Sequence, residues 1–309
     1  MTFLLILCSI TVRRYKKGCL SGVNPIKKVY FCTLNMDFLV DIFEYRYLAN
    51  AVIACILSGI TCGIAGTYIV SRRIVFLSGG ITHASFGGLG IAFYFGVNPI
   101  WGAMIFAVLS SLGIEWAGNR AKIREDSAIG LMWGIGMAIG ALAMSLKPGY
   151  TSGDLSSFLF GNIISVTTPD VIALALLTLF LIIGAVLWLK PVIYTAFDRD
   201  FAHSAGLNTK LIGYVMSVVT AVTIVLSIRV MGVVLLISLM TMPTVIVNCF
   251  TKHYSTITTA SSVVAAVAAL LGVAISYYME VPSGPAIIFV LTLTLIIVKL
   301  LSLHSKQRL

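Results

Sequence analysis

The chain has 309 residues, of which 59% are hydrophobic and only 10% are charged. Since soluble domains carry about a quarter of their residues as charged side chains, this composition excludes an ordinary soluble protein and places most of the chain in lipid. The 21 Lys and Arg residues outnumber the 11 Asp and Glu residues. In a membrane protein this excess indicates basic cytoplasmic loops and does not require a nucleic-acid partner.

Residues 1–35 do not match the rest of the chain. Their apolar stretch, residues 3–12, is too short to cross ~30 Å of hydrocarbon, and its basic cluster follows the stretch, whereas a signal peptide carries its charges first. Met36 begins a more regular amphipathic segment. We therefore expect the natural protein to start at Met36, with residues 1–35 as an extension from an upstream start site. N-terminal sequencing of the native protein tests this expectation.

Residues 36–309 are predicted to form a single all-α, polytopic membrane domain with about nine transmembrane helices. The apolar segments that predict them cover approximately residues 48–70, 74–95, 100–118, 128–146, 171–189, 211–229, 232–250, 257–279 and 285–301.

Basic residues collect on one side of these predicted helices, with Lys147 nearly alone on the other. By the positive-inside rule, that side is cytoplasmic, the N-terminus is outside and the C-terminus is inside. The residues that set this orientation are Arg72, Arg73, Arg120, Lys122, Arg124, Lys190, Arg199, Lys210, Lys252, Lys306 and Arg308.

A polar segment, residues 197–207, interrupts the chain between the fifth and sixth predicted spans. Asp198 is a suitable N-cap for a short helix, and Gly206 stands where a helix end favours positive φ. Helical spacing places Phe197, Phe201 and Ala205 on one face, and it turns Asp198, Arg199 and His203 toward water. Two interpretations stay open, namely docking to a soluble protein and a surface helix at the lipid headgroups.

Glycine spacing predicts close contacts between transmembrane helices. The expected close-packing positions are Gly59 with Gly63, Gly130 with Gly134, Gly136 with Gly140, and the group Gly87, Gly88 and Gly90.

Ionisable residues at membrane depth are costly and point to function. His83 lies inside the second predicted span, where it is either a ligand for a divalent metal or a histidine hydrogen-bonded to a neighbouring helix. Asp154 and Glu280 are acidic residues on the outer side, where an imported cation arrives, although solvated loop carboxylates are common. Glu125 and Asp126 begin the fourth span, and capping of that helix by Asp126 or Ser127 accounts for them.

Catalytic motifs are absent from the sequence. It contains no G-x-x-x-x-G-K-[ST] phosphate loop, no G-x-S-x-G and no H-E-x-x-H, and the six cysteines form no C-x-x-C pair. The chain is therefore predicted not to be an enzyme and not to hydrolyse ATP by the phosphate-loop route.

Several segments taken together resemble the membrane permease subunits of bacterial ABC importers for zinc, manganese and iron. The resemblance runs from Met36 nearly to the end of the chain and depends on the order and spacing of the segments. They are residues 62–73 (CGIAGTYIVSRR), 81–85 (ITHAS), 125–130 (EDSAIG), 154–162 (DLSSFLFGN), 197–207, 231–238 (MGVVLLIS) with Pro243, and 276–285 (SYYMEVPSGP).

This resemblance implies a homodimer in the bacterial cytoplasmic (inner) membrane, served by a cytoplasmic ABC ATPase dimer and by an extracytoplasmic metal-binding protein. It implies no tightly bound cofactor, a divalent metal ion as the transported substrate, and His83, Asp154 and Glu280 as metal-contacting residues. The segment around residues 197–207 becomes the helix that couples the permease to the ATPase. Its implied coupling residues are Phe197, Asp198, Arg199, Asp200, Phe201, Ala202, His203, Ala205, Gly206 and Leu207.

Many members of the resembled family carry an aspartate four residues before the histidine, where this sequence has Gly79. Manganese prefers oxygen ligands, so the missing carboxylate leaves zinc and iron at least as well supported as manganese. Two alternatives to an importer subunit remain. A stand-alone secondary transporter would work without an ATPase, and a purely structural membrane subunit would tolerate replacement of His83.

Overall fold

The computed structural model describes residues 42–146, 163 and 166–306. From residue 46 onward the described chain forms eleven α-helices, which confirms the predicted all-α class. They are α1 (Arg46–Ser71), α2 (Phe76–Phe95), α3 (Pro99–Asn119), α4 (Glu125–Ser145), α5 (Thr168–Leu187), α6 (Leu189–Phe197), α7 (Arg199–Ser204), α8 (Thr209–Met231), α9 (Val233–Val247), α10 (Tyr254–Met279) and α11 (Ser283–Lys306).

Nine of these helices correspond in order to the nine predicted spans, and α6 and α7 are the short helices between the fifth and the sixth. The sequence predicts only a short break between the sixth and seventh spans. In the structure the corresponding helices, α8 and α9, are separated by a single residue, Gly232, with φ 76° and ψ 168°. That backbone conformation lies outside the regions that L-residues occupy easily, so glycine is what lets the chain reverse there within one residue.

Seven helices are long and apolar enough to cross a membrane by length and composition, and α2 and α9 are the long helices outside that group. At ~1.5 Å per residue, the 15 residues of α9 reach about 22 Å, which is short of the ~30 Å hydrocarbon thickness. Both helices lie inside the bundle. Thirteen of the 20 residues of α2 are buried, whereas only four of the 20 in α5 are. Protein neighbours therefore surround the polar residues of α2, as the membrane environment requires.

The helix ends define two sides of the bundle. Side chains from the ends of α1 and α3, the start of α4 and the first turn of α7 meet in ion pairs, and we call this end the basic side. At the other end, which we call the opposite side, Asn50 near the start of α1 donates a 3.3 Å hydrogen bond to Thr168 at the start of α5. The predicted basic residues between helices fall at the basic side.

Helix α2 packs most extensively against α4 and α3, and glycines make this packing close. A methyl group built on Gly87 would lie 2.8 Å from the carbonyl oxygen of Gly136, and one built on Gly90 would lie 2.6 Å from that of Gly140. Along α1, Gly59 and Gly63 admit the backbone of α10 in the same way. These contacts confirm the glycine pairs predicted at those positions.

The prediction of close packing has a different outcome at Gly130 and Gly134. Among the described residues, no atom of another helix lies within 4 Å of a methyl group built on either glycine. These two residues lie on an exposed strip of α4, whereas the buried face of α4 that meets α2 is formed around Gly136 and Gly140. Within the described part of one chain, the predicted close packing is therefore not found at Gly130 and Gly134.

Replacing Gly90 with alanine is expected to destabilise the bundle. The added methyl group meets the backbone of Gly140, which cannot move without separating α2 from α4, and overpacking of this kind costs about 1–3 kcal/mol. Thermal unfolding in detergent should therefore occur at a lower temperature for Gly90→Ala than for the wild type. Gly184→Ala is the matched control, because no described residue of another helix lies within 4 Å of its added methyl group, and its unfolding temperature should not fall.

Candidate functional site

The segment between α5 and α8 contains the short capped helix that its sequence predicts. Asp198 is the N-cap of α7, and its Oδ1 accepts hydrogen bonds from the backbone N–H groups of Asp200 at 3.0 Å and Phe201 at 2.9 Å. Just beyond the helix, Gly206 has φ 81°. A side-chain cap and a glycine stop therefore fix both ends of a six-residue helix that would be unstable alone.

Helix α7, together with Phe197 at the end of α6, presents an aromatic face to the outside of the chain. Phe197 is 64% exposed and Phe201 is 55% exposed, whereas Ala202 is completely buried against the bundle. Neighbouring aromatic rings support the exposed ones. Phe201 contacts Tyr194 edge-on with ring centroids 5.6 Å apart, and the ring centroids of Phe197 and Tyr254 are 6.4 Å apart. The helix therefore offers preformed apolar contacts to a partner on the basic side.

Arg199 does not face water as predicted. Its guanidinium Nη2 lies 2.9 Å from Oε1 of Glu115, its Nη1 lies 3.4 Å from Oδ1 of Asn119, and the side chain is only 37% exposed. Helical spacing within α7 could not indicate these partners, because they lie about 80 residues earlier in the sequence. The partner Glu115 was missed as well, although a carboxylate inside an otherwise apolar span is itself a signal.

Four side chains at the basic side form what we call the charge cluster: Arg72, Glu115, Glu125 and Arg199. Nη2 of Arg72 lies 3.1 Å from Oε2 of Glu115 and 2.7 Å from Oε1 of Glu125. The side chains of Arg72 and Glu115 are only 8% and 5% exposed. Two cations and two anions balance, which satisfies the condition that buried charges be paired.

The charge cluster corrects the interpretation of the start of α4. Helix α4 begins at Glu125 with Arg124 as N-cap, and no side chain makes a capping hydrogen bond. Capping by Asp126 or Ser127 is therefore wrong. Glu125 instead reaches Arg72 at the end of α1, and its position in the first turn of α4 also suits a negative charge beside the helix N-terminus.

Arg72 keeps its charge in spite of its burial. Desolvation opposes the charged form, but the electrostatic effects of Tyr68, Glu115 and Glu125, and a 2.9 Å hydrogen bond to the hydroxyl oxygen of Tyr68, outweigh it and raise the pKa of Arg72. A guanidinium with a raised pKa stays protonated throughout the physiological range. Arg72 therefore contributes a permanent positive charge to the charge cluster.

His83 lies on α2 with its ring stacked on that of Trp133 from α4. The ring centroids are 4.3 Å apart and the planes differ by 7°. A methyl group built on Gly79, one turn earlier, would lie 3.6 Å from Ile237 and 3.7 Å from Trp133, in ordinary contact. Trp133 therefore orients the imidazole and covers the position where the resembled family carries a carboxylate.

The structure does not bring the three predicted metal-contacting residues together within the part of the chain that it describes. Asp154 lies outside the described residues. Glu280 is the exposed C-cap of α10 at the opposite side, with φ 53°. Among the described residues no group of three or more His, Cys, Asp or Glu side chains could hold a metal ion. The roles of His83, Asp154 and Glu280 remain predictions.

Comparison with known proteins gives a consistent result along almost the whole chain. The ABC 3 transport family matches residues 44–302. An uncharacterized membrane protein of Synechocystis is 32% identical over 262 residues, covering 85% of this chain and 93% of that protein. The manganese transport system membrane protein MntC of Listeria monocytogenes is 28% identical over 278 residues, covering 88% and 99%.

A solved structure has the same fold. The chain superimposes on a chain of PsaBC from Streptococcus pneumoniae, solved in complex with Fab, with a TM-score of 0.75 at 24% identity. The superposition covers 85% of this chain and 94% of that one.

Loss of Arg72 is expected to destabilise the folded chain, because it leaves the buried carboxylate of Glu115 with one cation fewer. Breaking a buried ion pair on one side costs about 3 kcal/mol or more, so Arg72→Met should unfold at a clearly lower temperature in detergent. Arg73→Met is the control, since Arg73 is exposed and makes no ion pair among the described residues. Equal unfolding temperatures for the two variants would contradict the stabilising role of the charge cluster.

Proposed function

The chain belongs to the ABC 3 transport family, as a multi-pass membrane permease of the metal-transport class, and we propose that it works as a homodimer in an ATP-driven importer of divalent metal ions. ATP hydrolysis is assigned to a separate cytoplasmic ATPase pair, and delivery of the ion to an extracytoplasmic metal-binding protein. The metal ion is proposed as the transported substrate, and no tightly bound cofactor is proposed for this chain. The observation that carries it is α7, a capped helix with an exposed aromatic face on the basic side of an apolar bundle.

The positive-inside rule supports an orientation with the basic side in the cytoplasm. It places the N-terminus of α1 outside, α7 inside and the C-terminus of α11 inside. In this orientation the exposed rings of Phe197 and Phe201 face the compartment that contains ATP. A helix that presents aromatic anchors on a rigid support is well suited to fill a groove on a soluble partner.

The exposed strip of α4 supports dimer formation. Gly130 and Gly134 have open space beside them within the described part of the chain and would allow a helix of a second copy to approach closely. The strip lies beside Trp133, the residue that stacks on His83. A second copy packed there would enclose His83 and would add ligands that one chain lacks among its described residues.

Two observations bear on the metal. The Listeria relative is a manganese transport protein, which favours manganese. Gly79, by contrast, supplies no carboxylate next to His83, and a site with imidazole and few oxygens is better suited to zinc or ferrous iron. We propose a first-row divalent cation that is bound in transit through His83, and the three metals are compared directly in the experiment below.

His83→Ala is expected to lower metal uptake by roughly tenfold to a hundredfold, because it removes the imidazole ligand from the pathway. The measurement is uptake of zinc, manganese and ferrous iron into vesicles that contain the permease with its ATPase and binding protein. His253→Ala serves as control, since His253 is exposed at the basic side before α10. Full uptake by His83→Ala would show that His83 only packs against its neighbours. Uptake by the wild type without the ATPase would contradict the proposal of an ATP-driven importer.

Phe201→Ala is expected to weaken binding of the ATPase by roughly tenfold or more, since exposed aromatic anchors dominate interfaces of this kind. Affinity can be measured in detergent with the purified ATPase. Phe289→Ala is the control, because Phe289 is similarly exposed but lies on the membrane helix α11. Unchanged affinity in Phe201→Ala would rule out α7 as the docking helix.

A further inference from the structure

Glu115 uses both carboxylate oxygens to connect separate helices. Its Oε1 accepts hydrogen bonds from Arg199 of α7 at 2.9 Å and from Asn119 at 3.1 Å. Its Oε2 accepts from Arg72 at the end of α1 at 3.1 Å and from Ser217 of α8 at 3.4 Å. One buried side chain of α3 therefore contacts α1, α7 and α8 at the same time.

Helix α8 is shaped to admit this carboxylate. A methyl group built on Gly213 would lie 2.5 Å from Oε1 of Glu115 and 3.8 Å from Nη2 of Arg199. A side chain at this position would therefore require the carboxylate to shift. The absence of a side chain at Gly213 leaves room for Glu115 beside α8.

The charge cluster continues from Glu115 to the helix that carries His83. Arg72 bridges Glu115 to Glu125, and Glu125 is the first residue of α4. Helices α3 and α4 are the two main neighbours of α2, on which His83 lies. A continuous set of short polar contacts thus runs from α7 to the two helices that enclose the candidate metal pathway.

We propose that Glu115 is a positioning residue that transmits movement of α7 to α1, α3 and α4, and so couples ATP hydrolysis to metal translocation. The inference rests on the proposed function, because it takes α7 as the docking site of the ATPase. Buried, charge-assisted hydrogen bonds are short and directional, so α7 cannot shift relative to α3 without moving α3 or separating a buried ion pair. A static role in holding the fold would not affect the ratio of metal transported to ATP hydrolysed.

The test compares Glu115→Gln with wild type in vesicles that contain the ATPase and the binding protein. Glutamine keeps the shape of the side chain and an acceptor oxygen but removes the charge that holds Arg199 and Arg72. We expect the variant to bind the ATPase with wild-type affinity, since the aromatic face of α7 is unchanged. The metal transported per ATP hydrolysed is expected to fall by roughly tenfold, the scale of a typical coupling between two sites.

Arg199→Gln is the second variant, and it separates the link to α7 from the stability of the bundle, because Arg199 is the more exposed partner and leaves the Arg72 pairs in place. It should show the same loss of coupling. Arg120→Gln is its control, since Arg120 is exposed, lies at the same side and makes no ion pair within the described part of the chain. Arg120→Gln should transport metal with the wild-type ratio.

Wild-type ratios of metal to ATP in both Glu115→Gln and Arg199→Gln would overturn the inference. Loss of ATPase binding in both would overturn it too, because the charge cluster would then act in docking and not in transmission. If Glu115→Gln fails to fold, the ratio measured for Arg199→Gln decides alone. Failure of the proposed function appears separately, as wild-type uptake that does not require ATP.

Discussion

A carboxylate buried between apolar helices is stable only while cations remain beside it, and Glu115 places this constraint at the centre of the structure. Its side chain is almost inaccessible, so desolvation would cost several kcal/mol without the guanidinium groups of Arg72 and Arg199. Arg72 comes from the end of α1 and Arg199 from the first turn of α7. The requirement to pair one charge therefore fixes the relative positions of three chain segments that are distant in sequence.

The inner side of α7 is occupied by Arg199, which reaches Glu115, and by the fully buried Ala202. Phe201 of α7 and Phe197 at the end of α6 lie on the outside and stay exposed, although burying two such rings would be favourable by about 1.5–3 kcal/mol each. Exposure at this cost is typical of a surface that is covered by a partner.

Local sequence patterns predicted the elements well because the bilayer leaves few choices. Backbone groups in hydrocarbon must form their hydrogen bonds within a helix, so the apolar segments alone located the nine predicted helices. The start and end of α7 were predictable because Asp198 is a typical N-cap residue and Gly206 a typical residue after a helix end. The patterns could not predict which residues from distant parts of the sequence contact each other. The pairing of Arg199 with Glu115 joins residues 84 apart, and no spacing rule within α7 contains that information.

Glycine patterns illustrate the same limit. Gly130 with Gly134 and Gly136 with Gly140 have identical spacing on one helix, yet among the described helices of the chain only the second pair packs against a neighbour. Spacing predicts that a face permits close approach, but it does not identify what approaches. The sequence could not identify Trp133 as the side chain beside Gly79 either. The stacking of Trp133 on His83 depends on how α2 and α4 meet and not on either helix alone.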